Sequence, residues 1–435
     1  MKIYTSSSSL VLALAYMGNT ITTVHGFISS PTIVRRTSSH PTGFRNSPSS
    51  SSSEVSTVTA DHTHHTTTPV HPQRAALSPE FEMARDATIQ MLSKAVESDR
   101  LKSLLSHFTE EYFSACYAAN KAGVEEVTSK YTAKSMMNAL QYGMQFGVGE
   151  NKYKFGVSHV ALRGKNPESE NGNTIDFYKF GCDFFRPAMD LRNSIVYGQA
   201  NLQKAQEQIQ RGENVIFLAN HQSEADPQVV SCLFEKAGFT QMAEDMYYVA
   251  GHKVTTDTLA VPFSMGRNLI CIHSKKHIDA DPETKPLKSK QNLQAMSSML
   301  ELLKRGGTAI WVAPSGGRDR RALDGSRQVP LAPFDPKTVD MFRLMGTKSK
   351  KSTHFYAMSM VSYELCPPPD YIEAGTGEQR NVRFVPVGIT ISDELNNQNG
   401  SDGSREEFTD ITFKICNDGY EKLLNGLKEG KSGVF

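Results

Sequence analysis

From residue 78 onward, apolar positions first recur at helical spacing. Phe81, Ala84, Met91 and Ala95 share one face; Leu101, Leu104, Leu105, Phe108 and Tyr112 share the next; Met136, Leu140 and Met144 form a third set. This 3.6-residue period predicts amphipathic helices. Ser78 and Pro79 supply an N-cap and a first-turn proline for the first of them. Short connections between short helices predict a small helical bundle over 77–165. From about 170 the pattern changes to short β-rich runs: Val215–Leu218, Met246–Ala250, Leu269–His273, Thr308–Val312, Phe355–Met360 and Val382–Ile391. Helical stretches such as 227–237 and 288–305 lie between them. The alternation predicts an α/β domain over 170–435 with a mixed, mostly buried sheet. Ligand groups of such sheets sit on loops beyond strand ends. His221, His273 and Pro314, Ser315 and Gly316 all fall where a predicted strand gives way to a loop. No internal repeat is present.

Residues 1–75 carry neither pattern and read as a disordered targeting region. Lys2 precedes the apolar run Leu10–Met17, which has the length of a signal-peptide core. Val24, His25 and Gly26 give small residues at the positions that favour cleavage before Phe27. Arg35, Arg36, Arg45 and the serine-rich stretch Ser47–Ser53 follow, with no acidic residue before Glu54. That composition is a transit peptide's. A signal peptide over about 1–26 and a transit peptide over about 27–75 together resemble the bipartite presequences of algae with secondary plastids. Asp61, His62, His64 and His65 sit in this Thr/Ser-rich stretch, where a fixed metal site is not expected.

Charge and cysteine usage narrow the class. The formal net charge is +1, so there is no global basic field for nucleic acid. Beyond residue 30 no apolar run approaches the ~20 residues of a spanning helix; a soluble or peripheral mature chain is expected. The six cysteines are scattered, without a CxxC pair, and read as reduced, mostly buried thiols.

The candidate chemistry begins at "IFLANHQSEADP", 216–227, where an apolar strand runs into His221 and places Asp226 five residues later. Asp226 and Pro227 read as the N-cap and first residue of a helix. Such a turn brings the carboxylate back to the imidazole, fixing its tautomer and stabilising the imidazolium once the other nitrogen takes a proton. No serine or cysteine stands in a nucleophile motif such as GxSxG. The dyad therefore points to deprotonation of a substrate hydroxyl by His221. Backbone amides near the start of the 226 helix are the candidate oxyanion donors. Spacing alone does not single out this copy, because His252 and Asp257 repeat it. Two cationic clusters add to the first. Lys275, Lys276 and His277 follow one strand; Arg318 and Arg320 follow Ser315, Gly316 and Gly317 after another. Glycines let a backbone approach an anion, and arginine forks match phosphate oxygens. Together they fit a small phosphorylated alcohol. The run from Gly426 to Ser432 is one residue short of a P-loop, which removes a nucleotide reading.

The blocks "ANHQSEADP" (219–227), "GHKVTTDTLAVPFSMGRNLICIHSKKH" (251–277), "APSGGRDR" (313–320) and "FVPVGIT" (384–390) resemble those of the soluble plastidial glycerol-3-phosphate 1-O-acyltransferases. These belong to the glycerolipid acyltransferase superfamily with its His-x4-Asp motif. The resemblance covers about 77–435. It implies a helical bundle before a larger α/β domain. It also implies acyl transfer from acyl-acyl carrier protein, or acyl-CoA, to the sn-1 hydroxyl of glycerol 3-phosphate in the plastid stroma, without a metal or further cofactor. By motif, His221 is the base and Asp226 its partner, while Lys276, His277, Arg318 and Arg320 bind glycerol 3-phosphate. Ser223 stands where plant relatives often carry threonine. Lys285, Lys288 and Lys290, or Lys348, Lys350 and Lys351, are candidates for docking the acidic carrier protein. The alternatives are another acyl acceptor, such as lysophosphatidate, and a non-catalytic module that binds carrier protein or lipid.

Overall fold

A computed structural model describes residues 76–435, apart from 151, 165–174, 275–277, 280, 370–377 and 396–403. The targeting region with its histidines, and Lys275, Lys276 and His277, lie outside the described residues.

Three helices come first: α1 (Pro79–Ala95), α2 (Asp99–Lys121) and α3 (Ser129–Gly147). Each starts at a hydroxyl side chain that accepts from a backbone amide of the first turn: Ser78 from Phe81, Ser98 from Leu101 and Thr128 from Tyr131. Such a bond satisfies one of the orphan donors of a helix start. The three pack on one another, and α2 reaches α4 (Phe177–Phe185), where Tyr112 stacks on Phe184 at 4.2 Å between ring centroids.

Nine strands among the described residues make one mixed sheet. In chain order they are β1 (Ser158–His159), β2 (Ile195–Tyr197), β3 (Asn214–Ala219), β4 (Tyr247–Gly251), β5 (Asn268–Ile272), β6 (Ala309–Val312), β7 (Thr353–Val361), β8 (Gly388–Glu394) and β9 (Gly433–Val434). Their spatial order is β1-β5-β4-β6-β3-β7-β8-β2-β9. The central run β5-β4-β6-β3-β7 is parallel, with antiparallel pairing where β1 meets β5 and where β7 meets β8. The expected mixed sheet is thus observed, and Ser158–His159 adds its strand from the stretch that follows α3.

Helices cover both faces. From α5 (Gln199–Gln210) the chain passes through β3 to α6 (Asp226–Lys236), α7 (Thr240–Asp245) and, after β4, α8 (Val261–Met265). On the other face lie α9 (Lys285–Arg305), α10 (Pro336–Ser349) and α11 (Arg405–Lys428). Along β3, Val215, Phe217 and Ala219 enter the core shared with α1–α4 and α6, while Ile216 and Leu218 enter the core under α9–α11. Burial on both sides explains why β3 reads as a continuous apolar run. Five parallel strands therefore deliver their carboxyl ends to one side of the sheet: Ala219, Gly251, Ile272, Val312 and Val361.

One expectation is corrected. Asp226 is the first helical residue rather than the N-cap; Ala225 caps, without a side-chain bond. The Asp226 carboxylate turns back to His221 and to the amides of Gln222 and Ser223, so it has no capacity left to cap its own helix.

Candidate active site

His221 stands two residues beyond β3. Its Nδ1 donates to Asp226 Oδ2 at 2.7 Å, which leaves Nε2 free to accept a proton. The carboxylate also accepts from Gln222 N (2.8 Å), Ser223 N (3.1 Å) and Ser362 Oγ (2.6 Å). Asp226 is fully buried, whereas the imidazole is 27% exposed and reachable from outside. Below the ring, Trp311 packs edge-on at 5.7 Å. The loop is tied to its neighbours by side chains that continue the sheet's pairing. Asn220 exchanges bonds with the backbone of Met360, and Gln222 Oε1 accepts from Ser362 N and Tyr363 N.

The loop after β6 closes over the same point. Asp319 N donates to His221 O at 2.6 Å. Its carboxylate accepts from Asn220 Nδ2 (3.1 Å) and Ala332 N (2.8 Å). Burial, with the nearby Asp226 charge adding a lesser push, raises the Asp319 carboxyl from its ordinary value to about 6. Arg318 and Arg320 flank it. One terminal nitrogen of Arg318 donates to both oxygens of Glu378, at 2.7 and 2.9 Å, and the other lies 3.5 Å from Glu224. Arg320 donates to Pro369 O at 3.2 Å. Arg380 joins Glu224 at 3.0 Å to Asp257 at 2.9 Å.

The structure thus brings His221, Asp226, Arg318 and Arg320 to one side of the sheet; Lys276 and His277 are not described. It treats the second His-x4-Asp copy differently. His252 lies against His273, 4.4 Å between rings, while Asp257 accepts from Leu259 N and Ala260 N and pairs with Arg380. The amides expected as oxyanion donors are already engaged. Gln222 N and Ser223 N bond Asp226, Ala225 N bonds Ser223 Oγ, and Asp226 N bonds Ser223 O. Sequence reasoning missed Ser362, Glu378 and Arg380, whose partners are 60 to 156 residues away. Glu224 and Asp319 lay inside the quoted motifs and were the findable ones. Among the described residues no group of His, Cys, Asp or Glu is gathered to hold a metal ion, and no described helix is long and apolar enough to cross a membrane.

A buried carboxylate, an imidazole oriented by it and arginines flanking Asp319 are the parts that a hydroxyl-activating transfer site requires. Residues 197–365, which contain all of these except Glu378 and Arg380, match the family model described as Acyltransferase. Over 350 residues the chain is 35% identical to "Glycerol-3-phosphate acyltransferase, chloroplastic" of Arabidopsis thaliana, covering 79% of this chain and 73% of that one. The protein of the same name from Spinacia oleracea is 35% identical over 65% of this chain and 59% of its own. That from Pisum sativum is 32% identical over 79% and 73%. This chain belongs to the chloroplastic glycerol-3-phosphate acyltransferase family.

Proposed function

We propose that the enzyme acylates the sn-1 hydroxyl of glycerol 3-phosphate from a thioester donor, with His221 as general base, giving 1-acylglycerol 3-phosphate. The observation that carries the base assignment is the 2.7 Å bond from His221 Nδ1 to a fully buried Asp226, which leaves Nε2 of a 27% exposed imidazole for the substrate, on a loop bonded to Asp319 between Arg318 and Arg320. The acceptor hydroxyl loses its proton to Nε2 as its oxygen attacks the thioester carbonyl carbon. Asp226 stabilises the resulting imidazolium. The tetrahedral intermediate collapses by breaking the carbon–sulfur bond, and the departing thiolate recovers the proton from His221. Arg318, Arg320, Lys276 and His277 hold the phosphate in this reading. It calls on no cofactor beyond the acyl donor.

Acyl carrier protein is the donor this reading favours. Of the two lysine runs considered for docking it, Lys285, Lys288 and Lys290 open α9, which follows β5 and so starts on the side of the sheet that holds the dyad. Lys348 closes α10, which precedes β7 and so ends on the opposite side. The first run is therefore the docking candidate. The plastid is the location, and the stroma of a secondary plastid, reached by a signal plus a transit peptide, is the finer expectation. A fluorescent fusion of residues 1–75 tests it.

The central test uses purified 70–435 with glycerol 3-phosphate and acyl-acyl carrier protein, the product being identified by mass spectrometry. General-base catalysis is typically worth about 10²–10⁴-fold. His221→Ala is expected to lose at least that much of kcat, and His252→Ala far less. An equal loss in a folded His252→Ala protein would move the base to the second copy.

A further inference from the structure

Among the described residues, Arg318 and Arg380 share one charge network with the acidic residues around them. Lys253, Arg318 and Arg380 are matched by Glu224, Asp257 and Glu378. Burial pulls the Glu378 carboxyl upward, but Arg318 and then Lys253 pull it further down, so it lies below its ordinary value; Arg380 and Arg318 do the same for Glu224. Both are ionised at neutral pH. These three cations are offset by three anions, so Arg318 offers an incoming phosphate little net charge while Glu378 stays in place. Arg318 has one face taken by Glu378 at 2.7 and 2.9 Å, in a pair whose side chains are 14% and 13% exposed.

We propose that Glu378 stands on Arg318 where the acceptor's phosphate binds, and that displacing this carboxylate sets the enzyme's affinity for the anionic group. The inference rests on the reading that Arg318 is a phosphate ligand. Glu378 is the member able to leave. Glu224 belongs to the His221–Asp226 loop, whose amides on both sides are bonded, and its main partner is Arg380 at 3.0 Å. Among the described residues, the other ion-pair partner of Glu378 is Lys253 at 3.3 Å, and that lysine is 62% exposed, so the bond holds little against solvent. A phosphate offers Arg318 the same charge-assisted geometry with more charge and more oxygens. A neutral hydroxyl compound offers nothing that can take the carboxylate's place.

Glu378→Gln keeps the shape and removes the charge. It is expected to lower KM for glycerol 3-phosphate about three- to tenfold, the range of one charge-assisted bond offset by solvation. Inorganic phosphate, as a competitive inhibitor, should become more potent by a similar factor. Glu378→Ala should shift both in the same direction. An unchanged or raised KM together with unchanged phosphate inhibition overturns the proposal and makes Glu378 a support that holds Arg318 in place. Arg318→Ala separates the two levels of the argument. If that variant keeps the KM of the parent enzyme, the phosphate role of Arg318 is what fails. If its KM rises, and the lowering of KM that Glu378→Gln gives in the parent enzyme is lost in that background, the competition is confirmed.

Discussion

Asp226 receives four hydrogen bonds while fully buried, and three of the donors sit on its own loop. The fourth, Ser362, comes from beyond β7 and couples the dyad to a second strand. Ser362→Ala is expected to lower kcat by roughly tenfold with little change in KM, because the loss of one bond to a charged group loosens the orientation of the imidazole. A change confined to KM would place Ser362 with the substrate instead. Asp319 makes a second residue-scale prediction. Its folded pKa of about 6 lies above the ordinary 3.8, so between those values the folded chain keeps a proton that the unfolded chain releases. Stability therefore falls as pH rises through that window, by an amount on the order of 2–3 kcal/mol. Asp319→Asn should remove the fall. Urea midpoints measured from pH 4 to 7 check this, and parallel curves for the two proteins would remove Asp319 as the cause. His221 and Asp226 were legible in the sequence because five residues and one turn join them. Ser362 and Glu378 were not, since a single serine or glutamate 136 or 60 residues from its partner leaves no periodic mark.

Elements show the same division. The central strands were legible because burial on both faces makes β3, β5, β6 and the middle of β7 near-continuous apolar runs, and helices α6 and α9 filled intervals between them. Helices α5, α7, α8 and α10 escaped the reading, and so did the short strands β1, β2 and β9. Two or three residues carry no alternation to detect, and partners such as Val387, Gly388 and Ser194 define them instead. The 251–277 block has an element-scale explanation in Gly266, at the end of α8. A Cβ there would meet the backbone of Phe177 and Tyr178 at 2.3 to 2.6 Å, so α8 and α4 touch main chain to main chain. Gly266→Ala must part them and is expected to cost about 1–3 kcal/mol or more of stability, as overpacking does. Gly251→Ala, which meets nothing within 4 Å, is the control and should cost far less. Thermal midpoints of the pair decide the point.

At the scale of the whole molecule, the helices before the sheet and the sheet itself share one core. Tyr112, Phe108 and Met136 belong to the same buried cluster as Phe217 and Trp311. Arg192 ties the end of α2 to the start of β2 by bonds to Ala122 O (3.0 Å) and Gly123 O (2.6 Å). A chain beginning at 152 would leave Phe184 without its stacking partner and expose that core. It is expected to be insoluble or molten when expressed alone, as judged by near-ultraviolet circular dichroism and proteolysis, while 76–435 folds. The rims of the sheet carry a further consequence. Both outermost strands, β1 and β9, are two residues long. Among the described residues, neither rim therefore presents a ladder of open amides and carbonyls on which a strand of another copy could zip. Rims this short give crowded, newly folded enzyme little purchase for edge-to-edge growth into fibres.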